Sequence, residues 1–163
     1  SEGRDMLTPA QETTLAAHIR ANQDAAVIAA LAIRNDTEIA RLYNLASNAD
    51  AWQSAMSGRD LFEATDVTKF DGLTAGKRDA WRLLLNFAPC AMTRQKNRKA
   101  AQDVWGNTDS VAVLQACTRK ATVAESVLGG NSATTNTVTA LKLNWEGSLS
   151  VDEVSYALNR NPV

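Results

Sequence analysis

The segment Thr74–Trp105, TAGKRDAWRLLLNFAPCAMTRQKNRKAAQDVW, decides the expected fold of this chain because it contains two consecutive helical patterns. Thr74 is a good N-cap for a helix predicted at about 75–87, and Pro89 stops that helix because a residue before proline disfavours the helical conformation. A second helix is predicted at about 93–105. The segment therefore predicts two helices with a sharp stop between them.

Helix-start signals recur along the rest of the chain. Ser or Thr followed three residues later by Glu, Gln or Asp forms a capping box, and Asp or Asn alone can also cap a helix. These signals begin predicted helices after Thr8, Asp24, Asn35, Ser57, Thr122 and Ser150. The chain has 163 residues, of which 45% are hydrophobic, so it can bury one sizeable core. We expect a mainly α single domain over residues 1–163, a bundle of about seven to nine short helices.

Residues 131–145 depart from this helical pattern. The segment 131–137, NSATTNT, is small, polar and uncharged, which indicates an exposed, flexible loop. Val138–Trp145 alternates in part and is rich in strand formers, so it predicts one minor β element near residues 138–145. A lone strand leaves its backbone groups unpaired. It must pair with a hidden strand of this chain or with a neighbouring subunit, or else remain an extended arm.

The four tryptophans are expected to be core anchors because each can bury a large apolar surface. Trp145 is the exception that we assign to an interface pocket, since it lies beside the predicted loop. Leu141 and Leu143 of the predicted strand complete this candidate protein interface. We expect the strand to complete a neighbour's sheet or to clamp an adjoining subunit.

Charge is unevenly distributed along the sequence. Between Lys77 and Lys99 there are seven basic residues and one acid, Asp79, whereas residues 1–73 carry five more acids than bases and residues 100–163 carry two more. The net charge of the whole chain is −1. A nearly neutral protein with this internal polarity presents unlike faces, which favours docking to partners or to copies of itself.

The basic segment 94–99 has the strongest claim to a ligand. Arg94, Arg98 and Lys99 fall roughly on one side of a helix, where they could contact nucleic-acid phosphates or acidic protein side chains. With Lys96 they form a candidate protein interface. No aromatic residue interleaves the cluster and no known nucleic-acid-binding motif surrounds it, so three readings remain: a protein interface, a solvated face, and direct nucleic-acid contact.

Residue types that support catalysis or metal binding are sparse. The single histidine, His18, has no recognisable serine or cysteine nucleophile nearby and is remote in sequence from Cys90 and Cys117. The two cysteines form no C-x-x-C pair, which favours buried free thiols, with a disulfide between them as the alternative. We therefore expect no enzymatic activity, no cofactor and no metal site.

Targeting signals are also not found in the sequence. No run approaches the roughly 20 apolar residues that cross a bilayer. Residues 1–5 lack the basic and then apolar pattern of a signal peptide. We expect a protein that is made and used in a cytoplasm, without a membrane partner.

Four blocks of the sequence resemble one family. They are Leu7–Gln11, Phe70–Lys77 with Trp81, Cys117–Glu125 with Leu128 and Gly129, and Asn144–Val154. These blocks are similar to parts of small proteins encoded in the morphogenesis regions of tailed bacteriophages, and together they span the chain from end to end.

The resemblance implies a virion structural protein, most plausibly a component of the head-to-tail connector of the adaptor or neck type. Such proteins are mostly helical and form homo-oligomeric rings around the DNA channel, with a portal on one side and tail proteins on the other. It implies localisation in the virion after synthesis in the host bacterial cytoplasm, with non-specific contact to packaged DNA. The alternative function is a nucleic-acid-binding phage accessory or assembly protein that uses the basic 94–99 helix.

Overall fold

The helix-start signals of the sequence begin helices in the computed structural model, which describes residues 6–163. Capping boxes with both hydrogen bonds occur at Thr8, Ser57, Thr122 and Ser150. The described residues form nine helices: α1 (Pro9–Ala21), α2 (Ala25–Ala32), α3 (Asp36–Tyr43), α4 (Gly58–Glu63), α5 (Val67–Asp71), α6 (Ala75–Asn86), α7 (Gln95–Ala116), α8 (Val123–Leu128) and α9 (Val151–Arg160). Residues 1–5, which carry the expectation about a signal peptide, lie outside the described residues.

Two of the helix ends show why local chemistry sets these boundaries. Gly129 ends α8 with a φ of 78°, a conformation that glycine adopts without a steric penalty. Gly106 has a φ of 82° and a ψ of 171° inside α7, so the backbone is not helical there. The sequence predicts a helix end at this position, and α7 consists of two helical segments that meet at a kink.

The expected mainly α bundle is wrong, because the fold is α/β with a four-stranded mixed sheet. The structure is 57% helical and 16% strand. The strands are β1 (Ala46–Trp52), β2 (Thr118–Thr122), β3 (Gly130–Thr135) and β4 (Val138–Leu143). Their order in the sheet is β2-β1-β4-β3, so the expectation of one minor β element near residues 138–145 accounts for β4 alone.

Pairing between distant segments explains β1 and β2, two of the three strands that the sequence does not predict. β1 has the sequence ASNADAW, and its Ala, Asn and Asp residues are all depleted in strands, yet it pairs in parallel with β4 in a register that places Ala51 opposite Leu141. The other neighbour of β1 runs antiparallel, since Ser47 Oγ donates to the Ala121 carbonyl and the Gln53 amide donates to the Cys117 carbonyl. Trp52 therefore lies at the end of a strand that is paired on both sides.

The segment 131–137, expected to be a flexible loop, forms β3 and a tight turn. Asn136 and Thr137 make the two-residue connection to β4, and both have positive φ values, 44° and 67°, as a type I′ hairpin turn requires. Because β4 lies between β1 and β3, both of its edges are already paired within the chain. It is not an exposed arm, and it has no free edge with which to complete a neighbour's sheet.

The chain divides into two compact units, each built from several separate segments. The first contains the chain through Ala49, Lys120–Gly130 and Leu143–Val163. Its core is formed by α1, α2, α3, α8 and α9 around buried apolar side chains that include Leu15, Ile19, Ile39, Val154 and Leu158. Burial of these side chains supplies the main stabilising free energy of the unit.

The second unit contains Asp50–Arg119 and Asn131–Lys142. Trp52, Trp81 and Trp105 belong to its buried core, and the rings of Trp81 and Trp105 meet edge to face with their centres 5.5 Å apart. This packing confirms the expectation that tryptophans anchor the core. The expectation of a single domain over residues 1–163 stays a prediction.

Within residues 6–163, none of the helices is both long enough and apolar enough to cross a membrane.

Candidate functional site

The basic segment at the start of α7 does not present all four of its cations on one surface. Arg94, Lys96 and Lys99 are exposed, whereas Arg98 is only 4% exposed. The structure therefore does not present Arg94, Arg98 and Lys99 together on its surface, and their role in a protein interface or DNA contact stays a prediction. The alternation arises because the buried side of α7 passes through position 98.

Arg98 performs a structural task inside the second unit. Its Nε donates to Thr135 Oγ1 at 2.9 Å, and its Nη1 donates to the carbonyls of Met92 and Thr93 at 2.9 and 2.8 Å. The guanidinium also lies over the Trp52 ring. Burial lowers the pKa of Arg98, and the hydrogen bonds and the ring compensate for the water that the cation has lost.

The remaining cations of the segment 77–99 differ in whether a carboxylate neutralises them. Arg82 contacts Asp79 at 3.3 Å and Lys99 contacts Asp103 at 2.9 Å. The other four form no ion pair in the described part of the chain; they are Lys77, Arg78, Arg94 and Lys96. The positive charge available to a partner therefore sits at the first turn of α6 and around the start of α7.

A groove of about 300 Å³ lies between α6 and the start of α7. Its lining is mixed, with apolar and polar surface in about equal shares, and Arg94 is its charged residue; the lining is Leu84, Phe87, Pro89, Cys90, Ala91, Arg94 and Asn97. Phe87 is 74% exposed, and Leu83, one helical turn earlier, is 55% exposed. We call this surface, extended to the exposed side chains of Leu83 on α6 and Lys96 on α7, the α6–α7 groove.

The loop that forms the floor of the α6–α7 groove is held by backbone hydrogen bonds. Cys90 and Met56 exchange two of them, each 2.8 Å long, and the Met92 amide donates to the Gln53 carbonyl at 2.9 Å. The Asn97 side chain donates to the Ala91 carbonyl at 2.8 Å. These contacts preorganise the groove, which lowers the entropic cost of binding.

Leu83 and Phe87 were not among the site residues predicted from the sequence. The available signal was the run Leu83-Leu84-Leu85 with Phe87, which places more apolar side chains on consecutive positions than one buried face of a helix can hold. Since Trp81 takes the buried position of α6, part of this run must face outward.

A second groove, of about 280 Å³, lies among α4, α5 and α6. Its walls include Phe62, Val67 and Phe70, and Trp81 closes it, with Trp81 Nε1 donating to Thr65 Oγ1 at 3.0 Å. Here the cation is already engaged, because Arg82 both pairs with Asp79 and lies over the Phe70 ring at 5.5 Å. This groove therefore offers less attraction to an acidic partner than the α6–α7 groove.

The candidate interface residues on and after β4 are buried or half-buried in the structure. Trp145 is 6% exposed and belongs to the core of the first unit. Leu141 lies in a paired register position of the central strand β4, and Leu141 and Leu143 are both half-buried. The tertiary structure uses these residues to build the fold.

The potentially reactive groups are engaged or buried. His18 Nδ1 lies 2.7 Å from the Tyr43 hydroxyl, which also accepts a hydrogen bond from Asn22. Burial raises the pKa of Tyr43. Cys90 and Cys117 are buried free thiols, and burial together with the neighbouring Cys90 raises the pKa of Cys117 to about 12. Within residues 6–163 no group of three or more His, Cys, Asp or Glu side chains is positioned to hold a metal ion.

Comparison of the chain with protein-family models, with curated proteins and with solved structures finds no match.

Proposed function

We propose that this protein is a structural component of a tailed-phage virion, a ring-forming member of the head-to-tail connector that docks portal or tail proteins. The resemblance of its sequence blocks to phage morphogenesis proteins supports the phage assignment. The observation that carries the docking role is the separation of charge between the two compact units, because it gives each copy two complementary surfaces.

The charge separation is balanced. The described residues of the first unit contain eight acidic and five basic residues, a net charge of −3. The second unit contains eight acidic and eleven basic residues, a net charge of +3. Opposite charges on different surfaces of one chain favour contact between the acidic unit of one copy and the basic unit of the next.

Such a contact is heterologous, since the two surfaces that meet are different. A heterologous contact leaves one copy with an unused basic surface and the other with an unused acidic surface, so further copies add until the rotation closes a ring. Apolar side chains at the contact supply most of the free energy, about 1.5–3 kcal/mol for each Phe or Leu that becomes fully buried. Leu83 and Phe87 are exposed and available for this purpose.

Light scattering of the purified chain after size-exclusion chromatography, over a wide range of protein concentrations and at low and high salt, tests the proposal. We expect oligomers of defined stoichiometry that weaken as salt screens the charges. Mass spectrometry of purified phage particles should then find the chain, and electron microscopy should locate it in a ring at the neck. A chain that stays monomeric at every concentration and is missing from particles would contradict the proposal.

A second candidate function is binding of nucleic-acid phosphates through Arg94 and Lys96, which have no carboxylate partner in the described residues. Binding of this kind weakens steeply as the salt concentration rises, by roughly one unit of log–log slope per phosphate contact. The double variant Arg94→Gln with Lys96→Gln should therefore lower the salt slope of DNA binding by about two if this function is correct. An unchanged slope would leave the docking role as the function of these cations.

A further inference from the structure

Helix α2 has an unusual composition for its position in the fold. Its sequence, AAVIAALA, contains no polar side chain, and Ile33 extends the apolar run by one residue. Only Val27 and Ala30 are buried, where α2 packs against α1 and α3. A helix that is apolar on all sides is normally buried on all sides.

The outer side of α2 is a continuous apolar surface. Ile28 is 50% exposed and Ile33 is 75% exposed. Around the helix, alanines lie between and beside these two isoleucines. The alanines exposed to solvent are Ala25, Ala26, Ala29 and Ala32. We call this surface the α2 outer face. Clustered exposed apolar residues on a folded domain mark an interaction site, because water contact with them is unfavourable.

We propose that the α2 outer face of one copy packs into the α6–α7 groove of a second copy. This inference rests on the proposed function, for which it names the two surfaces that meet. The groove provides the apolar side chains Leu83 and Phe87, and the alanines of α2 allow a second helix to approach closely. Ile28 and Ile33 then fill the space beside Phe87.

Charge complementarity selects a second copy as the occupant. Asp24 begins α2, and its carboxylate accepts hydrogen bonds from the backbone amides of Ala26 and Val27 but forms no ion pair in the described residues. At the groove, Arg94 and Lys96 likewise have no ion pair there. The α2 outer face belongs to the unit of net charge −3 and the groove to the unit of net charge +3, so docking brings opposite fields together.

The first experiment compares two matched neutral substitutions of exposed aliphatic residues, Ile33→Ser on the α2 outer face and Val67→Ser in the groove among α4, α5 and α6. Both residues are more than half exposed, so both variants should fold. Light scattering should show that I33S weakens self-association by roughly tenfold to a hundredfold, because it removes an apolar contact without adding a charge, while V67S matches the wild type. Circular dichroism verifies that both variants keep their secondary structure.

The second experiment tests the pairing directly with engineered thiols. Ile33→Cys and Phe87→Cys proteins are prepared separately, mixed, and treated with a short bismaleimide. The mixture should give a crosslinked dimer containing one chain of each kind, and either protein alone should give none across the same pair of positions. The native thiols, Cys90 and Cys117, are buried, and the wild-type protein serves as the control for their reaction.

The outcomes separate this inference from the proposed function. Oligomers that persist in I33S, with no crosslink between positions 33 and 87, would overturn the pairing and leave the ring proposal intact. Loss of association in V67S but not in I33S would assign docking to the other groove and also overturn the pairing. A wild-type chain that is monomeric at every concentration, but needs Ile33 for incorporation into particles, would show that a different virion protein covers α2 and would overturn the second copy as occupant.

Discussion

The guanidinium carbon of Arg98 lies 4.9 Å from the centre of the Trp52 ring, so the most basic segment of the sequence contributes a cation to the core of the second unit. Trp52 is fully buried, and its Nε1 donates to the Ala133 carbonyl at 3.0 Å. The contact joins β1 to α7. It also removes one charge from the surface that other chains or nucleic acids can reach.

Substitution of Arg98 should lower stability more than it affects binding. Arg98→Met keeps most of the side-chain length but leaves Thr135 and the carbonyls of Met92 and Thr93 without their donor, which should lower the free energy of unfolding by about 2–4 kcal/mol. Lys96→Met, at an exposed position two residues away, should change it by less than about 0.5 kcal/mol. Urea unfolding followed by tryptophan fluorescence measures both, and equal stability of the two variants would contradict the structural role of Arg98.

Two glycines should respond to alanine in opposite directions. Gly129 has a φ of 78° and a ψ of −171°, a conformation that costs an L-residue about 1–3 kcal/mol, so Gly129→Ala should destabilise by that amount although its Cβ would have space. Gly76 lies in α6 with nothing within 4 Å of an added Cβ. Gly76→Ala should stabilise by about 0.5–1 kcal/mol, because it restricts the unfolded chain. Thermal unfolding of the two variants tests the difference in sign.

The buried thiol of Cys117 should make stability depend on alkaline pH. Its pKa rises from 9.0 to about 12 in the folded protein, so the native state holds the proton that the unfolded state loses above pH 9. The contribution of this thiol to the free energy of unfolding is fully present below pH 9. It is lost as the pH rises towards 12, at up to about 1.4 kcal/mol per pH unit. Between pH 8 and pH 10.5 the urea midpoint should therefore fall further in the wild type than in Cys117→Ala. Equal falls in the two proteins would argue against the raised pKa of Cys117.

Asp36 should contribute to the free energy of unfolding at neutral pH, and this contribution should be lost in acid. Burial alone raises the pKa of Asp36, but hydrogen bonds from Arg34 and Ser155 and the charge of Arg34 outweigh it and lower the pKa below 3.8. This contribution is present above the ordinary carboxyl pKa and is lost as the pH falls through the lowered value. Ser155→Ala removes the 2.6 Å hydrogen bond to the carboxylate, so the pKa of Asp36 measured by NMR should rise.

The exposed serine Ser132 offers the control for that experiment. Ser132→Ala should leave the pKa of Asp36 and the acid unfolding curve unchanged, since Ser132 lies in β3 of the second unit and Asp36 in α3 of the first. Ser155→Ala should also lower the free energy of unfolding at neutral pH by about 1 kcal/mol. An Asp36 pKa that does not move in Ser155→Ala would show that the hydrogen bond carries none of the shift.

The candidate site was only partly predictable from the sequence. The excess of basic residues between Lys77 and Lys99 falls in the same segment of the chain as the α6–α7 groove. Composition does not show which cations are neutralised or buried. The ion pair of Lys99 with Asp103 depends on their spacing along one helix, and the contact of Arg98 with Trp52 depends on tertiary packing. The outward position of Phe87 likewise depends on which face of α6 Trp81 occupies.

Local sequence signals set where most of the helices begin. Caps such as Thr8, Thr122 and Ser150 act on backbone amides three residues away, and Gly106 and Gly129 act on their own φ angles, so the information is local. The sheet was decided only by tertiary structure. Ala51 faces Leu141 although they are far apart in the sequence, and a strand such as β1, with weak strand propensity, forms because backbone groups from distant segments satisfy its hydrogen bonds.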